Sequence, residues 1–281
     1  MINAAAPSAA TPSPGYIAPD VGQERGQRAA DVTVIIVNWN AGGLLRNCLE
    51  HLRQQTLTPA RVILVDNASS DQSLDLPQEL LTWRALDIQR MDNNLGFAAG
   101  NNHALKQCTT EFVALLNPDA FAAADWLAHL RAAADQNPQA AAFGSRQLSH
   151  ELPDMLDGTG DCYHASGLAW RQHHGHRQSA DHLQARDIFA PCAAAALYRR
   201  SAVAAIHGFD ESYFCYHEDV DLGFRLRLLG YTARYVPQAV VRHVGSATTG
   251  GQRSDFATYH GHRNMVWTFV KNMPTPLLWA L

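Results

Sequence analysis

The chain has 281 residues, of which 47% are hydrophobic and 17% are charged, and its formal net charge is −4 at pH 7. A chain of this length can form one large α/β domain or two small ones. The negative balance argues against nucleic acid as the main partner, because no excess of Lys and Arg is available to neutralise phosphates.

Neither the cysteines nor the N-terminal composition is typical of a secreted protein. The five cysteines are widely spaced and include no C-x-x-C pair, which favours reduced thiols in a cytosolic protein over a disulfide framework. Residues 1–30 are rich in Ala, Pro and Ser and lack the basic and apolar regions of a signal peptide, so we expect a disordered tail. No apolar run reaches the roughly 18 residues that a membrane span requires. We therefore expect a cytoplasmic protein.

Predicted strands and helices alternate from residue 31 onward. The β-branched run 32–37 predicts a buried parallel strand, residues 41–55 predict a helix with one apolar face, and residues 61–66 predict a second buried strand. This order forms a βαβ unit with a right-handed crossover. The alternation continues to about residue 148, which predicts a doubly wound α/β sheet.

The rest of the chain is less regular. Residues 150–187 are polar, contain Gly and show no periodicity, which indicates either a functional loop or a mobile one. A helix is expected from Val220 to Leu229, with Gly230 just after its end. Residues 259–281 look helical and are rich in Trp and Leu.

Two carboxylates, Asp66 and Asp119, directly follow strong predicted strands. Ligands of open α/β sheets bind beyond the carboxyl ends of the strands. Asp66 and the polar residues after it are suited to a base or ribose, although Asn, Ser and Asp also favour ordinary turns. Asp119 follows Pro118 and is suited to hold a divalent cation against a diphosphate, since Mg²⁺ often takes only one or two protein carboxylates. A turn or helix cap explains Asp119 alone equally well.

The segment DNNLGFAAGNN, residues 92–102, contains two glycines and four asparagines. Gly96 and Gly100 would let the backbone approach a ligand closely. The segment is neither a G-x-G-x-x-G fingerprint nor a P-loop.

An acidic cluster precedes the helix expected at residues 220–229. His217, Glu218, Asp219 and Asp221 lie within five positions, and carboxylates this close raise each other's pKa unless a cation or substrate offsets them. A structural interpretation makes Asp219 the N-cap and pairs Asp221 with Arg225 at i+4. It leaves Glu218, His217 and the nearby aromatic residues unexplained, so we also consider catalysis; these aromatic residues are Phe209, Tyr213, Phe214 and Tyr216.

Six segments resemble, in order, those of the family 2 glycosyltransferases with the GT-A fold, most closely the rhamnosyltransferase-like branch. They are VTVIIVNWN, VILVDNASSD, NNLGFAAGNN, LLNPD, GFDESYFCYHEDVDLGFRLRLLGY and VVRHVGS. The resemblance covers residues 31 to about 265 and implies a Rossmann-like, mostly parallel sheet flanked by helices. It implies a nucleotide-binding half at 31–120, an acceptor and catalytic half at 121–258, and a C-terminal helical segment at 259–281.

The resemblance also implies catalytic and metal-binding residues. Asp219 would be the catalytic base, with Glu218 beside it. A divalent cation, Mg²⁺ or Mn²⁺, would be held by Asp119 and His243, because Asn117 replaces the first Asp of the family's D-x-D motif. This predicts that Asp119 and His243 lie close together in the fold.

The remaining implied site residues bind the two substrates. The nucleotide sugar would contact polar and small residues after the early strands: Asn38, Asn40, Asp66, Asn67, Gly96, Asn101 and Asn117. Asp221 and Arg225 would lie on the acceptor side.

The implied activity is inverting transfer of a sugar, L-rhamnose in the first instance, from a nucleoside-diphosphate sugar to a glycan or lipid-linked acceptor in cell-surface polysaccharide synthesis. One alternative is a transferase with a UDP-hexose donor. Another is a non-catalytic nucleotide-sugar-binding subunit of a polysaccharide assembly complex, against which the acidic cluster argues. The large apolar side chains between Tyr259 and Leu281 also predict docking at the inner face of the cell membrane, with ordinary packing onto the domain as the alternative.

Overall fold

A computed structural model describes residues 30–245 and 254–279. The disordered tail predicted for residues 1–30 lies, apart from Ala30, outside the described residues. So does the end of the VVRHVGS segment, from residue 246.

The first half of the chain forms a four-stranded parallel sheet in the order β4-β1-β2-β3. Its elements are β1 (Ala30–Asn38), α1 (Gly43–Arg53), β2 (Pro59–Asp66), α2 (Gln78–Leu81), β3 (Leu86–Arg90), α3 (Gly96–Leu105) and β4 (Phe112–Leu116). In β1, Val34 and Ile36 pack in one apolar layer and Ile35 packs in the other, because successive side chains of a strand point to opposite faces. The apolar run that predicted a buried strand is therefore buried on both faces.

The second half of the chain extends the sheet with parallel and antiparallel strands. Its strands are β5 (Ala120–Ala122), β6 (Ala140–Ser149), β7 (Leu156–Gly158), β8 (Asp161–Tyr163), β9 (Ala169–Arg171), β10 (Arg186–Ile188), β11 (Ala195–Arg199) and β12 (Thr232–His243). Its helices are α4 (Trp126–Gln136), α5 (Arg200–Ala205), α6 (Glu218–Leu228), α7 (Asp255–Asn272) and α8 (Thr275–Leu278), with 3-10 turns at Ala180–Leu183 and Glu211–Tyr213.

The full sheet runs β10-β12-β6-β11-β4-β1-β2-β3, with β5 on β12 and β7 on β6. β11 is antiparallel to both β4 and β6 and joins the two halves of the sheet. Helices α1 and α4 contribute to one apolar layer, and α3, α5 and α6 contribute to the other. The mostly parallel sheet flanked by helices agrees with the prediction.

Strand pairing places the candidate site along one edge of the sheet. β1 and β2 are in parallel register with Asn38 opposite Asp66, and β4 ends one residue before Asn117. The antiparallel pair β12 and β5 sets His243 opposite Ala120, so His243 lies beside the turn that carries Asp119. Residues far apart in sequence therefore meet where these strands end.

Two local predictions need correction. Residues 150–187 are not a structureless loop, because they form β7, the β8–β9 hairpin and a 3-10 turn. Three-residue strands are too short to show an alternating pattern in the sequence. Helix α6 begins at Glu218, so Asp219 lies in its first turn and His217, with φ 63°, is the N-cap. Gly230 follows the helix with φ 87°, as predicted.

Candidate active site

A cleft of about 720 Å³ opens beyond the strand ends, between the two halves of the chain. Seven of the predicted site residues line it: Asn67, Gly96, Asn117, Asp119, Glu218, Asp219 and His243. Residues that the sequence did not single out also line it, among them Trp39, Asp161, Trp170 and Arg171. The predicted nucleotide, metal and acidic groups therefore share one cavity.

Asn38 and Asp66 belong to a buried hydrogen-bond network behind the cleft wall. Asn38 Nδ2 donates to Asp66 Oδ1 at 2.7 Å and to Ser69 Oγ at 3.0 Å. Ser69 donates to both Asp66 oxygens, from its hydroxyl at 2.7 Å and its backbone N–H at 3.2 Å. Neither Asn38 nor Asp66 is among the described cleft-lining residues, so their contacts shape the turn behind the site rather than its surface.

Asn40 and Asn67 follow these two residues in sequence and connect the hydrogen-bond network to the cleft. Asn40 has φ 50° and its Oδ1 accepts from the backbone N–H of Ser70 at 2.8 Å. Asn67 Nδ2 donates to the Gly96 carbonyl at 3.0 Å. Asn67 Oδ1 is buried and has no hydrogen-bond partner within the described residues. A buried acceptor without a hydrogen-bond donor is costly. This oxygen is therefore the group in this part of the cleft that a bound ligand is best placed to satisfy.

Glycine is required at position 96 because another segment of the chain packs directly against it. A Cβ at Gly96, where φ is 79°, would lie 2.5 Å from Phe214 Cδ2. The backbone N–H groups of Phe97 and Ala98 donate to the Phe214 carbonyl at 2.7 and 3.1 Å. Gly96 thus leaves room for the loop that precedes α6. The sequence predicted that the backbone at this position would approach a ligand closely. Asn101 lies farther along α3, and its amide donates back to the Phe97 carbonyl at 2.9 Å.

Asp119 and His243 are in contact, which confirms the predicted proximity. His243 Nε2 lies 3.2 Å from Asp119 Oδ1, and Asn117 Nδ2 lies 3.4 Å from the same nitrogen. The second oxygen of Asp119 accepts from the backbone N–H of Gly245 at 3.1 Å. Burial lowers the pKa of His243, but contact with Asp119 and Asp157 outweighs burial and raises it to about 9.

The donor atoms of this pair fit a divalent cation that takes its other ligands from substrate and water. Within residues 30–245 and 254–279, no group of three or more His, Cys, Asp or Glu side chains could hold a metal ion. One carboxylate and one imidazole on the wall of a cleft still suffice for Mg²⁺ or Mn²⁺ when phosphate and water oxygens complete the coordination.

A strained loop leads into the acidic cluster. Phe214, Tyr216 and His217 all have positive φ, between 63° and 66°, a conformation that non-glycine residues adopt at a cost. Asn264 of α7 holds this loop, because its Nδ2 lies within 2.7 to 3.0 Å of the carbonyl oxygens of Tyr213, Cys215 and Tyr216. Asn264 was not predicted, since nothing local in the sequence links it to a loop almost fifty residues earlier.

Three carboxylates, those of Asp161, Glu218 and Asp219, crowd one wall of the cleft. Burial and the charge of Asp219 raise the pKa of Glu218 well above its usual value, and the same two causes raise the pKa of Asp161. Asp219 is only partly buried, and its oxygens accept backbone N–H groups of Ala193 at 3.0 Å and Val220 at 2.9 Å. Asp219 is therefore the best-positioned of the three to accept a proton from a ligand.

Asp221 and Arg225 form the predicted i+4 ion pair, but away from the cleft. Arg225 Nη2 lies 2.7 Å from Asp221 Oδ2, and Asn272 Nδ2 donates to Asp221 Oδ1 at 2.7 Å. Asp221 is 1% exposed, and neither residue is among those described as lining the cleft. The geometry favours a structural role that joins α6 to α7 over the predicted acceptor-side role.

The family is established by comparison with known proteins. The model of "Glycosyl transferase family 2" matches residues 33–206, and that of "Glycosyl transferase family group 2" matches residues 163–271. The N-acetylglucosaminyl-diphospho-decaprenol L-rhamnosyltransferase of Mycobacterium tuberculosis is 28% identical, over 88% of each chain. The O-antigen chain rhamnosyltransferase RfbN of Salmonella typhimurium is 29% identical over 81% of this chain and 70% of its own.

Solved structures show the same fold. GalNAc-T7 with UDP, GalNAc and Mn²⁺ matches 87% of this chain and 48% of its own, with a TM-score of 0.68 and 14% identity. The mannosyltransferase PcManGT of Pyrobaculum calidifontis, with GDP-Man and Mn²⁺, matches 90% of this chain and 69% of its own, with a TM-score of 0.61 and 19% identity. Both have the predicted GT-A fold. The chain belongs to glycosyl transferase family 2 and is a glycosyltransferase.

Proposed function

We propose that the chain is an inverting, cation-dependent transferase that moves L-rhamnose from a nucleoside-diphosphate sugar to a glycan or lipid-linked acceptor of a cell-surface polysaccharide. The names of two similar proteins, both rhamnosyltransferases, support the sugar and the acceptor class. The observation that carries the proposal is the shared cleft, which has the Asp119–His243 pair on one wall and Asp219 on another.

The chemistry requires one displacement. Asp219 takes the proton of an acceptor hydroxyl as that oxygen attacks C1 of the donor sugar. The bond from C1 to the diphosphate oxygen breaks, and its electron pair leaves with the nucleoside diphosphate, so the anomeric configuration inverts. A cation held by Asp119 and His243, when bound, would neutralise part of the diphosphate charge. Asn67 would hydrogen-bond the nucleoside on the donor side.

A donor panel tests the proposal. Nucleoside-diphosphate rhamnose, UDP-galactose and UDP-N-acetylglucosamine are each incubated with the protein, a polyprenyl-diphosphate-linked sugar and Mn²⁺ or Mg²⁺, and released nucleoside diphosphate is measured. We expect release with the rhamnose donor, dependent on the acceptor and on the cation. Release with a UDP-hexose instead would show that the donor is a UDP-hexose and not nucleoside-diphosphate rhamnose. Donor binding without release by any of the three would favour the non-catalytic subunit.

We also propose peripheral docking of α7 and α8 at a membrane surface. The two helices leave large apolar side chains exposed: Tyr259, Val266, Val270, Leu277 and Trp279. Helix α7 instead buries Asn264, Thr268 and Asn272, the reverse of an ordinary surface helix. Among the described residues, no helix is both long and apolar enough to cross a bilayer. Exposed aromatic and aliphatic side chains along a helix are typical of a helix that lies in the membrane interface.

Vesicle binding tests the docking proposal. Val266→Ser combined with Val270→Ser should weaken binding to anionic phospholipid vesicles by about tenfold, since two half-buried valine side chains together contribute about 1.5 kcal/mol. Leu81→Ser is the matched control, because Leu81 is equally exposed, at 52%, and lies on α2 in the other half of the molecule. Equal vesicle binding by the double variant and the control would contradict the docking proposal.

A further inference from the structure

His243 lies between two buried carboxylates. Its Nε2 faces Asp119 Oδ1 at 3.2 Å, and its Nδ1 lies 2.8 Å from Asp157 Oδ2. The exposed fraction of the His243 side chain is 5%, and that of each carboxylate side chain is 9%. An imidazole with both nitrogens in contact and almost no exposure has one available orientation. Asp157 is therefore a direct neighbour of a candidate cation ligand.

Asp157 is itself held in place. It lies in β7, which pairs with β6, and β6 pairs in turn with β12, the strand that ends at His243. Arg171 Nη1 lies 2.7 Å from Asp157 Oδ2, and His174 Nδ1 lies 3.5 Å from Asp157 Oδ1 and 2.9 Å from the Asp157 carbonyl oxygen. The carboxylate that contacts His243 is thus fixed by a strand and by two basic side chains.

We propose that Asp157 is the positioning residue that makes His243 a cation ligand. Asp157 accepts the Nδ1–H of His243 and fixes the ring, so that Nε2 is held facing Asp119 and the cleft, where it would bind the cation in place of a proton. Asn117 lies beside the same nitrogen, with its Nδ2 3.4 Å from Nε2. The inference rests on the proposed cation dependence, and it assigns a role to part of residues 150–187 that neither the sequence nor the comparisons gave.

An alternative role for Asp157 is to neutralise Arg171 alone. Both roles predict that loss of the carboxylate lowers stability, because Arg171 would lose its partner. Loss of the negative charge weakens cation binding in either role, and the charge is lost equally in Asp157→Leu and Asp157→Asn. Only the positioning role predicts that Asp157→Asn, which keeps an acceptor for the Nδ1–H, binds the cation more tightly than Asp157→Leu.

The experiment measures Mn²⁺ binding directly. Free Mn²⁺ is quantified by electron paramagnetic resonance during titration of the full chain in the presence of saturating UDP or dTDP, without acceptor or turnover. Asp157→Leu, which removes the acceptor oxygens, should raise the Kd for Mn²⁺ by about 10- to 100-fold. Asp157→Asn keeps one oxygen that can accept the Nδ1–H and should lie between the wild type and Asp157→Leu. It also keeps the test decisive if Asp157→Leu does not fold.

Asp221→Asn is the matched control. Asp221 is also a buried carboxylate with an Arg partner, Arg225 Nη2 at 2.7 Å, but it does not line the cleft. This variant should melt at a lower temperature and bind Mn²⁺ within twofold of the wild type. Equal Mn²⁺ affinity in the two folded Asp157 variants, or wild-type affinity in either, would overturn the positioning role and leave the cation dependence standing. Failure of the wild type to bind Mn²⁺ with either nucleotide would overturn both.

Discussion

The two walls of the cleft differ in how their polar groups are satisfied. Behind the wall that carries Asn67 and Gly96, the proposed donor wall, Asp66 receives hydrogen bonds from Asn38 and Ser69 on both of its oxygens, in a parallel sheet of regular strands. On the wall that carries Asp219, the proposed acceptor wall, Glu218 is buried with raised pKa after a loop with three non-glycine residues at positive φ. Strain and crowded like charge concentrate at sites of chemistry. The difference supports the proposal that the donor wall is a preformed binding surface and that the acceptor wall carries the reaction.

The largest effect should come from removing the base on the acceptor wall. Asp219→Asn keeps the size of the side chain and can still accept one of the two backbone N–H groups, but it cannot take a proton. Transfer should fall by about 10²- to 10⁴-fold, the usual contribution of a general base. Nucleoside diphosphate release with acceptor present is the measurement. Near-normal turnover would remove Asp219 as the base and make Glu218 the next candidate.

A smaller effect is expected from releasing the strained loop. Asn264→Ala removes the amide that holds the carbonyls of Tyr213, Cys215 and Tyr216. We expect kcat to fall by about tenfold and the KM for donor to change less, because the loop leads directly to Asp219 but meets the donor wall only where Phe214 packs on Gly96. The free energy of unfolding should fall by about 1–3 kcal/mol.

Asn272→Ala is the control for Asn264→Ala. It also removes a buried amide of α7, but its partner is Asp221 and not the loop. It should lower stability while kcat stays near that of the wild type. Equal losses of kcat in the two variants would show that α7 affects catalysis only through stability.

The smallest effect concerns pH and stability. Burial and the charge of Asp219 raise the pKa of Glu218 in the folded protein. The folded state then holds a proton that the unfolded chain has already released, so stability falls as the pH rises from about 4.5 through the raised pKa. The Glu218→Gln side chain cannot ionise, so this variant should melt at a higher temperature than the wild type at neutral pH. The difference should be about 2–4 °C for each kcal/mol by which the ionised Glu218 destabilises the folded protein. The melting temperatures of the two proteins should converge near pH 4, and parallel profiles from pH 4 to 8 would contradict the raised pKa.

The sequence predicted the donor half of the fold well. Its strands β1, β2 and β4 are apolar runs buried on both faces, and the residues that follow them reach one edge of the sheet, as Asn67 and Asp119 do. The pairing of Asp221 with Arg225 also followed from local spacing. The distance of Asp221 and Arg225 from the cleft did not follow from local spacing. Helix α7 covers that side of α6, and no local pattern predicts which helix packs there.

The acceptor half was less predictable because its important contacts are distant in sequence. Asp157 and Asp161 lie on three-residue strands within a polar segment, and only the fold brings Asp157 to His243. Gly96 was correctly singled out as a point of close approach, and within the fold the group that approaches it is Phe214. Sequence patterns indicate that a position is constrained, whereas the constraining partner emerges only in three dimensions.

The most direct test of the division between the two walls is calorimetric titration of nucleoside diphosphate with Mn²⁺ into three proteins. The account predicts that Asp219→Asn binds as tightly as the wild type, because Asp219 acts on the acceptor. Asp119→Asn, which weakens the cation site, should lose the Mn²⁺-dependent part of the affinity, by about tenfold or more. Weakened binding by Asp219→Asn, or unchanged Mn²⁺-dependent binding by Asp119→Asn, would contradict the account.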